Sequence, residues 1–343
     1  MKLLNNTTII DFTRLLPGPL ATNMLAQMGA KVIKIEHPKR LDYARHTGAD
    51  LDGASLFFRM LNHQKEQRTI DYQNLEGQAE VIALIKNADV LIEQFRPGAM
   101  SSWGLGYKTL HKINPTLVYV SLTGYGQTGP WATTAGHDLN YLATSGILSL
   151  LKDDAGKPVV PGFQLADIGG GAYSSVMACL AGLLYSRNNN TGQHIDVSMT
   201  DAMLPLLTFP ISLLWSGLDP DVMNILNGKT VANYAVYECA DGKWLSVAAL
   251  EIKFWNNICA LVNKAAWQRQ HPLELSNKLF PKGAVIDLFK SKNRAEWLTI
   301  FEGHDVCIAP VLELNELTQQ AQLKARQLFI QLQTQTGKTF NAF

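Results

Sequence analysis

Over the first half of the chain, apolar residues come in short runs separated by polar turns. Thr7–Phe12 and Lys31–Glu36 are β-rich runs, and Leu20–Met28 between them carries apolar residues at helical spacing. Pro17-Gly18-Pro19 marks a turn with proline placed to open that helix, and Gly29 closes it. A helix from about Glu76 to Asn87 leads to a strand at Asp89–Gln94, and another apolar strand follows at Leu117–Leu122. Strands that alternate with helices predict an α/β fold with a doubly wound parallel sheet. No GxGxxG follows the first strand, which weakens a dinucleotide-binding reading.

The middle of the chain changes character. Leu139–Leu151 and Ile168–Ser186 are helical patterns rich in small residues, and the polar loop Arg187–Gln193 precedes a strand at His194–Val197. Ala202–Trp215 is apolar but interrupted by Pro205 and Pro210. Asn233–Cys239 and Lys243–Ala249 flank Ala240-Asp241-Gly242, and the Asp-Gly pair predicts a β-hairpin. Beyond Glu251 the pattern is mainly helical, with Trp255, Trp267 and Trp297 as packing aromatics. These shifts predict a large domain from residues 1–199 and 311–343 and a smaller α+β domain at 200–310. The tail Gln319–Phe343 either returns to the first domain or wraps a partner.

Composition narrows the function. The chain has 343 residues, 47% of them hydrophobic, and a net charge of +1. That is ample core for a soluble α/β protein and argues against a broad nucleic-acid surface. Cys179, Cys239, Cys259 and Cys307 show no CxxC spacing, so no metal site is expected and the compartment reads as cytoplasmic. The longest apolar stretch, around Ser174–Tyr185, is broken by Gly182 and ended by Arg187, so no membrane span is expected.

Two short segments carry the chemistry. Gly136-His137-Asp138-Leu139-Asn140-Tyr141 sets a histidine at a helix start, where the bland account is an aspartate cap beside a bystander imidazole. Leu165-Ala166-Asp167-Ile168-Gly169-Gly170-Gly171 sets a carboxylate before three glycines, where the bland account is again an N-cap. The functional account uses the same geometry. The glycines would let a ligand approach the backbone, and the helix N-terminus would keep Asp167 ionised as base or nucleophile. Glu251, at a strand end, is either a solvated glutamate or the group that orients a catalytic histidine. Lys34, His37, Lys39 and Arg40 follow the second strand, and Asn62, Lys65 and Arg96 add further candidates for a phosphate-bearing ligand.

These segments also carry a resemblance. The chain resembles the class III coenzyme A-transferase superfamily, and within it the α-methylacyl-CoA racemase branch, over nearly its whole length. The likeness runs through Asp11-Phe12-Thr13 to Pro17-Gly18-Pro19, Gly29–Glu36, Asp89–Gly98, Gly124–Pro130, the histidine and aspartate segments, Thr191-Gly192-Gln193, Tyr237–Gly242 and Asp305–Leu312. It implies an interlocked homodimer whose large domain binds CoA, and an acyl-CoA thioester as substrate in fatty acid and lipid metabolism. CoA is then part of the substrate, and no separate cofactor or metal is needed. The resemblance makes His137, Asp167 and Glu251 catalytic. Lys34, His37, Asn62, Lys65, Arg96, Gly136, Asp138, Asn140 and Tyr141 become substrate or CoA contacts. It implies a 1,1-proton transfer at C2 of a 2-methylacyl-CoA, with backbone N–H groups near Asp138 or at a helix N-terminus serving the enolate oxygen. The transferase branch instead uses the aspartate as a nucleophile. It commonly has an aromatic residue in place of the histidine, and a glycine-rich loop that Val222–Tyr234 does not show. His37 stands where the family often has arginine, and Glu66 where a basic residue is common. Leu226–Val231 departs from the racemase pattern and leaves the acyl group open.

Overall fold

The computed structural model describes residues 2–217, 228, 231–268, 282–334 and 336–343. Six strands, all parallel, run in the order β3-β2-β1-β4-β5-β6. They are β1 (Thr8–Phe12), β2 (Lys31–Glu36), β3 (Glu66–Thr69), β4 (Val90–Glu93), β5 (Val118–Thr123) and β6 (His194–Ser198). Every residue of β4 and β5 is buried, as both faces of a helix-covered parallel sheet demand. β3 escapes the hydrophobic pattern because Glu66-Gln67-Arg68-Thr69 is a polar edge strand.

Helices α1 (Pro17–Gln27), α2 (Leu56–Asn62), α3 (Leu75–Ile85), α4 (Ala99–Ser102), α5 (Tyr107–Ile113), α6 (Asp138–Thr144) and α7 (Ser174–Asn189) connect the strands. One sheet face packs Ile10, Ile33, Leu91 and Tyr119 against Val81 and Ile85 of α3 and Leu110 of α5. α7 packs on β5, β6 and α1. A π-helical segment, Ala166–Tyr173, runs straight into α7. The resulting helix, Ala166–Asn189, is long and apolar enough to cross a membrane by length and composition, contrary to the break expected at Gly182. Gly182 is a packing contact instead. A Cβ there would lie 2.5 Å from Val118 Cγ1, so glycine lets α7 settle onto β5.

The chain divides into Met1–Leu207 with Ile330–Phe343, and Thr208–Phe329. The second unit holds the expected hairpin as β7 (Tyr234–Glu238) and β8 (Trp244–Ala248), with Gly242 at φ 72°. β9 (Ile308–Pro310) adds to β8. Helices α8 (Thr208–Trp215), α9 (Ile252–Leu261), α10 (Lys282–Lys290), α11 (Arg294–Phe301) and α12 (Ala321–Ala325) complete the unit. Its core gathers Trp255, Phe289, Trp297 and Tyr237, with Trp267 packed on the edge. Residues 311–329, expected in the large domain, belong here, because Arg294 and Lys243 both pair with Glu316. The tail does return to the first unit. Its hairpin, β10 (Ile330–Gln333) and β11 (Thr339–Ala342), is tied to Asp52 through Thr334, Thr336 and Lys338.

Four charges are buried beneath the carboxyl end of β1. Lys65 Nζ lies 3.1 Å from Asp11, and Lys34 Nζ lies 3.0 Å from Asp42. Burial alone would raise the Asp11 carboxyl, but Lys65, Lys34, Thr13 and Thr22 together hold it below the usual carboxylate range. Burial, only partly offset by Asp11, pulls Lys65 down to about 8. Asp11→Asn leaves the lysines buried without that charge. A loss of about 3–5 kcal/mol is expected, read as a lower urea midpoint, and a shift under about 1 kcal/mol would contradict the role given to the network.

Candidate functional site

A cleft of about 330 Å³ opens at the carboxyl ends of the strands. Its walls are the segments that follow β1 (Arg14, Leu15, Pro17), β4 (Gln94, Phe95, Arg96) and β5 (Gly124, Tyr125), together with Gly136, His137, Tyr141, Asp167 and Met199. β1 and β4 are neighbours between which the strand order reverses, the switch point at which open α/β sheets bind ligands.

His137 is the N-cap residue of α6 and is exposed to the cleft. Its backbone N–H donates to Asn140 Oδ1 at 3.0 Å, so Asn140, expected to touch substrate, also fixes the histidine's backbone. Tyr141 also braces this turn, its hydroxyl donating to the Gly136 carbonyl at 2.5 Å. A Cβ on residue 136 would lie 2.7 Å from the Tyr141 ring, so only glycine permits the contact.

Asp138 joins the two chemical segments. Its Oδ1 accepts the Ala166 N–H at 2.7 Å and the Asp167 N–H at 2.9 Å. Helix starts leave such donors unsatisfied, and a carboxylate is the favoured partner. These two N–H groups at the start of the Asp167 helix are therefore taken by Asp138.

Asp167 is not the N-cap that its sequence suggests. Leu165 caps the π-helical segment and Asp167 lies in its first turn. The expectation that it stays fully ionised is also corrected. Burial, helped by the negative charge of Asp138, pushes its carboxyl up to about 7. It is 8% exposed, and the donors that would have stabilised its charge are spent on Asp138. Two of the three glycines, Gly170 and Gly171, serve close packing. A Cβ on Gly170 would meet the Met199 carbonyl oxygen at 2.6 Å, and one on Gly171 would meet Pro17 Cβ at 2.7 Å. They bring the aspartate-bearing helix against α1 and the segment after β6, rather than opening backbone to a ligand.

Several residues expected on CoA phosphates lie elsewhere. Lys34 is wholly buried, with its Nζ on the Thr13 carbonyl at 2.6 Å and on Asp42. Lys65 is held by Asp11 and by the Pro19 carbonyl at 2.8 Å. His37 is buried and pairs with Asp71 at 3.0 Å. Asn62 is buried and donates to the Phe58 carbonyl at 2.9 Å. Asn62 and Lys65 border a separate cavity of about 540 Å³ beside Arg45, Arg59 and Phe340. Lys34, Lys65 and His37 each find an internal charged partner once water is gone, whereas Asn62 pairs through its amide N–H and leaves its buried Oδ1 without a partner. Lys39 and Arg40 are exposed near His37. Arg96 alone of the expected cations lines the cleft.

Glu251 is an exposed N-cap of α9 in the second unit. Leu226–Val231 falls outside the described residues apart from Gly228 and Val231, as does most of Val222–Tyr234. The sequence reading missed Arg14, Tyr43, Phe95 and Tyr125 on the cleft wall. The signal available for Arg14 was its place directly after the first strand, at the edge where open α/β sheets bind ligands. Behind Phe95, Glu93 is buried and accepts the Phe95 N–H at 2.7 Å, and burial raises its carboxyl to about 7.

The human α-methylacyl-CoA racemase is 31% identical over 332 residues, covering 95% of this chain and 82% of that protein. The succinate–glutarate CoA-transferase of Agrobacterium fabrum is also 31% identical, over 347 residues, covering 97% and 86%. The crystal structure of a CAIB/BAIF family protein from Brucella suis superposes with a TM-score of 0.81 at 28% identity, covering 95% of this chain and 88% of that one. The family model for CoA-transferase family III matches residues 4–343. With its parallel six-stranded sheet, its switch-point cleft and this match along nearly its full length, the chain is an enzyme of CoA-transferase family III, whose members act on acyl-CoA.

Proposed function

We propose that the chain is the isomerase type of this family, inverting C2 of a 2-methylacyl-CoA thioester by 1,1-proton transfer. The observation that carries the proposal is His137 and Asp167 on one cleft, joined through Asp138. A thioester carbonyl acidifies the neighbouring C–H. One group of the pair takes the C2 proton, and the electron pair moves onto the carbonyl oxygen as an enolate. The other group then returns a proton to the opposite face of C2. A carboxyl near 7 suits both halves of that exchange, because it holds or releases a proton at neutral pH. Glu251 is the third member of the set on the likeness of Leu250–Phe254 alone. Arg96 is the cation best placed for the CoA portion of the ligand.

A second reading has a specific observation behind it, the identity with the Agrobacterium transferase. There Asp167 would attack the thioester carbonyl and expel the CoA thiolate, leaving an acyl anhydride on the aspartate. The proposed setting is the cytoplasm, in keeping with four cysteines that form no disulfide. We also propose a homodimer. Tyr173, Met177 and Leu184 leave an apolar stripe, 51–64% exposed, along the helix that carries Asp167.

In D₂O, wild type is expected to place deuterium at C2 of 2-methylacyl-CoA and to epimerise it. His137→Ala loses epimerisation, by at least about 10²-fold. Mass spectrometry of the recovered thioester reads both, and no exchange across a panel of acyl-CoAs would defeat the isomerase reading. Hydroxylamine trapping of an acyl group on Asp167 would establish the transferase instead. The pH profile supplies a separate check. Asp167 is raised by burial, so it donates a proton below about 7 and loses that capacity above it. Epimerisation in the direction that uses Asp167 as the donor should therefore fall as pH rises past about 7, and a profile for that direction flat to pH 9 would contradict the assignment. Light scattering tests the dimer: a mass near twice 37.9 kDa is expected for wild type, and a monomer would refute it.

A further inference from the structure

One buried hydroxyl in the cleft wall has no use inside the protein. Thr123 ends β5, at the edge where open α/β sheets bind ligands, and it lines the cleft. It is 8% exposed, and among the described residues its Oγ1 has no hydrogen-bond partner. Buried hydroxyls normally find one, because leaving a polar group bare costs free energy that a valine of similar shape would not. The backbone here is firmly held. The Thr123 carbonyl accepts the Met199 N–H at 2.8 Å. The Gly124 carbonyl accepts the Thr200 N–H at 3.0 Å and the Thr200 hydroxyl at 2.7 Å. A β-branched side chain on such a backbone has few rotamers, so little freedom is lost when a ligand takes its hydroxyl.

Packed neighbours tie Thr123 to the reacting pair. Met199, bonded to its backbone, is also the residue that Gly170 and Gly171 press against in the turn that carries Asp167. Gly124 lies against the Tyr141 ring, which a Cβ there would overlap, and the Tyr141 hydroxyl is raised by burial and then by the charge of Asp167. Charge that builds on a thioester carbonyl oxygen needs hydrogen-bond donors in place. The Ala166 and Asp167 N–H groups are taken by Asp138, and the Tyr141 hydroxyl by the Gly136 carbonyl. The Tyr43 and Thr134 residues on the cleft wall are exposed. Gln94 leaves its Oε1 unpartnered there as well, but an acceptor suits an N–H of the ligand, not a charged oxygen. We propose that Thr123 is a catalytic residue whose hydroxyl donates a hydrogen bond to the thioester carbonyl oxygen as that oxygen takes up charge. The hydroxyl proton stays on the threonine. The C2 proton goes to His137 or Asp167, and the electron pair it leaves rests on the oxygen that Thr123 holds. This deepens the reading that an acyl-CoA thioester lies between His137 and Asp167, and it rests on that reading.

The test uses a 2-methylacyl-CoA labelled with carbon-13 at the thioester carbonyl. Difference infrared spectroscopy records the carbonyl stretch of the bound thioester for wild type, Thr123→Val and Thr123→Ser, each checked for folding by circular dichroism. In wild type the stretch is expected at lower frequency than in free thioester, as a hydrogen-bonded carbonyl requires. Thr123→Val returns it toward the free value, and Thr123→Ser keeps most of the shift. In C2 exchange, Thr123→Val lowers kcat on the order of 10²-fold with little change in KM, because the bond strengthens as charge develops, and Thr123→Ser keeps most of the rate. No shift in wild type, a shift that survives Thr123→Val, or a Thr123→Ser enzyme as impaired as Thr123→Val overturns the proposal. So does a Thr123→Val enzyme that loses binding alone. The wild-type shift is read even if Thr123→Val does not fold. Nucleophilic attack by Asp167 would charge the same oxygen, so an absence of C2 exchange sinks the isomerase reading while the carbonyl stretch still judges Thr123.

Discussion

The Asp138 carboxylate is the contact on which the site depends. One oxygen accepts two backbone N–H groups from the start of another helix. That bond fixes the spacing between the histidine next to Asp138 in the chain and the aspartate whose amide it holds. It also sets the chemistry. A carboxyl at a helix start would ordinarily be stabilised as an anion. Here a second carboxylate has taken the donors, and burial does the rest, so Asp167 sits near neutrality rather than near 4. Position comes from this one interaction, and acidity comes first from burial and then from the charge of Asp138.

Beneath the cleft, a second polar device shapes the mouth of the sheet. Asp11, Lys34, Asp42 and Lys65 form a buried network that no apolar core would supply. Such a network adds little net stability over a well-packed apolar core, but a missing member is costly. Its visible product is the geometry of Thr13–Leu15, which each of Asp11, Lys34 and Asp42 touches through backbone. Lys34, which looks like a phosphate ligand in sequence, is thus spent on holding the backbone beside Arg14.

The glycines of the aspartate segment show how close packing and catalysis share residues. Gly170 and Gly171 let the π-helical turn press against Met199 and Pro17, leaving no space for a Cβ. A π-helical turn is uncommon and often marks a functional site. In this chain it turns Asp167 inward at the start of a helix that is otherwise an ordinary packing element of the sheet.

Strand and helix positions were largely legible because burial on a two-sided sheet forces apolar runs, and because Pro17 and Gly242 punctuate the chain by their backbone chemistry. β3 was not, since an edge strand needs no apolar signature. His137 and Asp167 stood out as residues, and their shared cleft follows from strand ends meeting at the switch point. The state of Asp167 was misread, because acidity depends on which neighbours fold against it. The same holds for Lys34, Lys65, His37 and Asn62, whose residue types suit a phosphate equally well. The sequence by itself determined the alternation of elements and the types of group available for chemistry, because these are set by local pattern and composition. Only the tertiary structure decided which charges are neutralised inside and which face a ligand, because that depends on partners far apart in the chain.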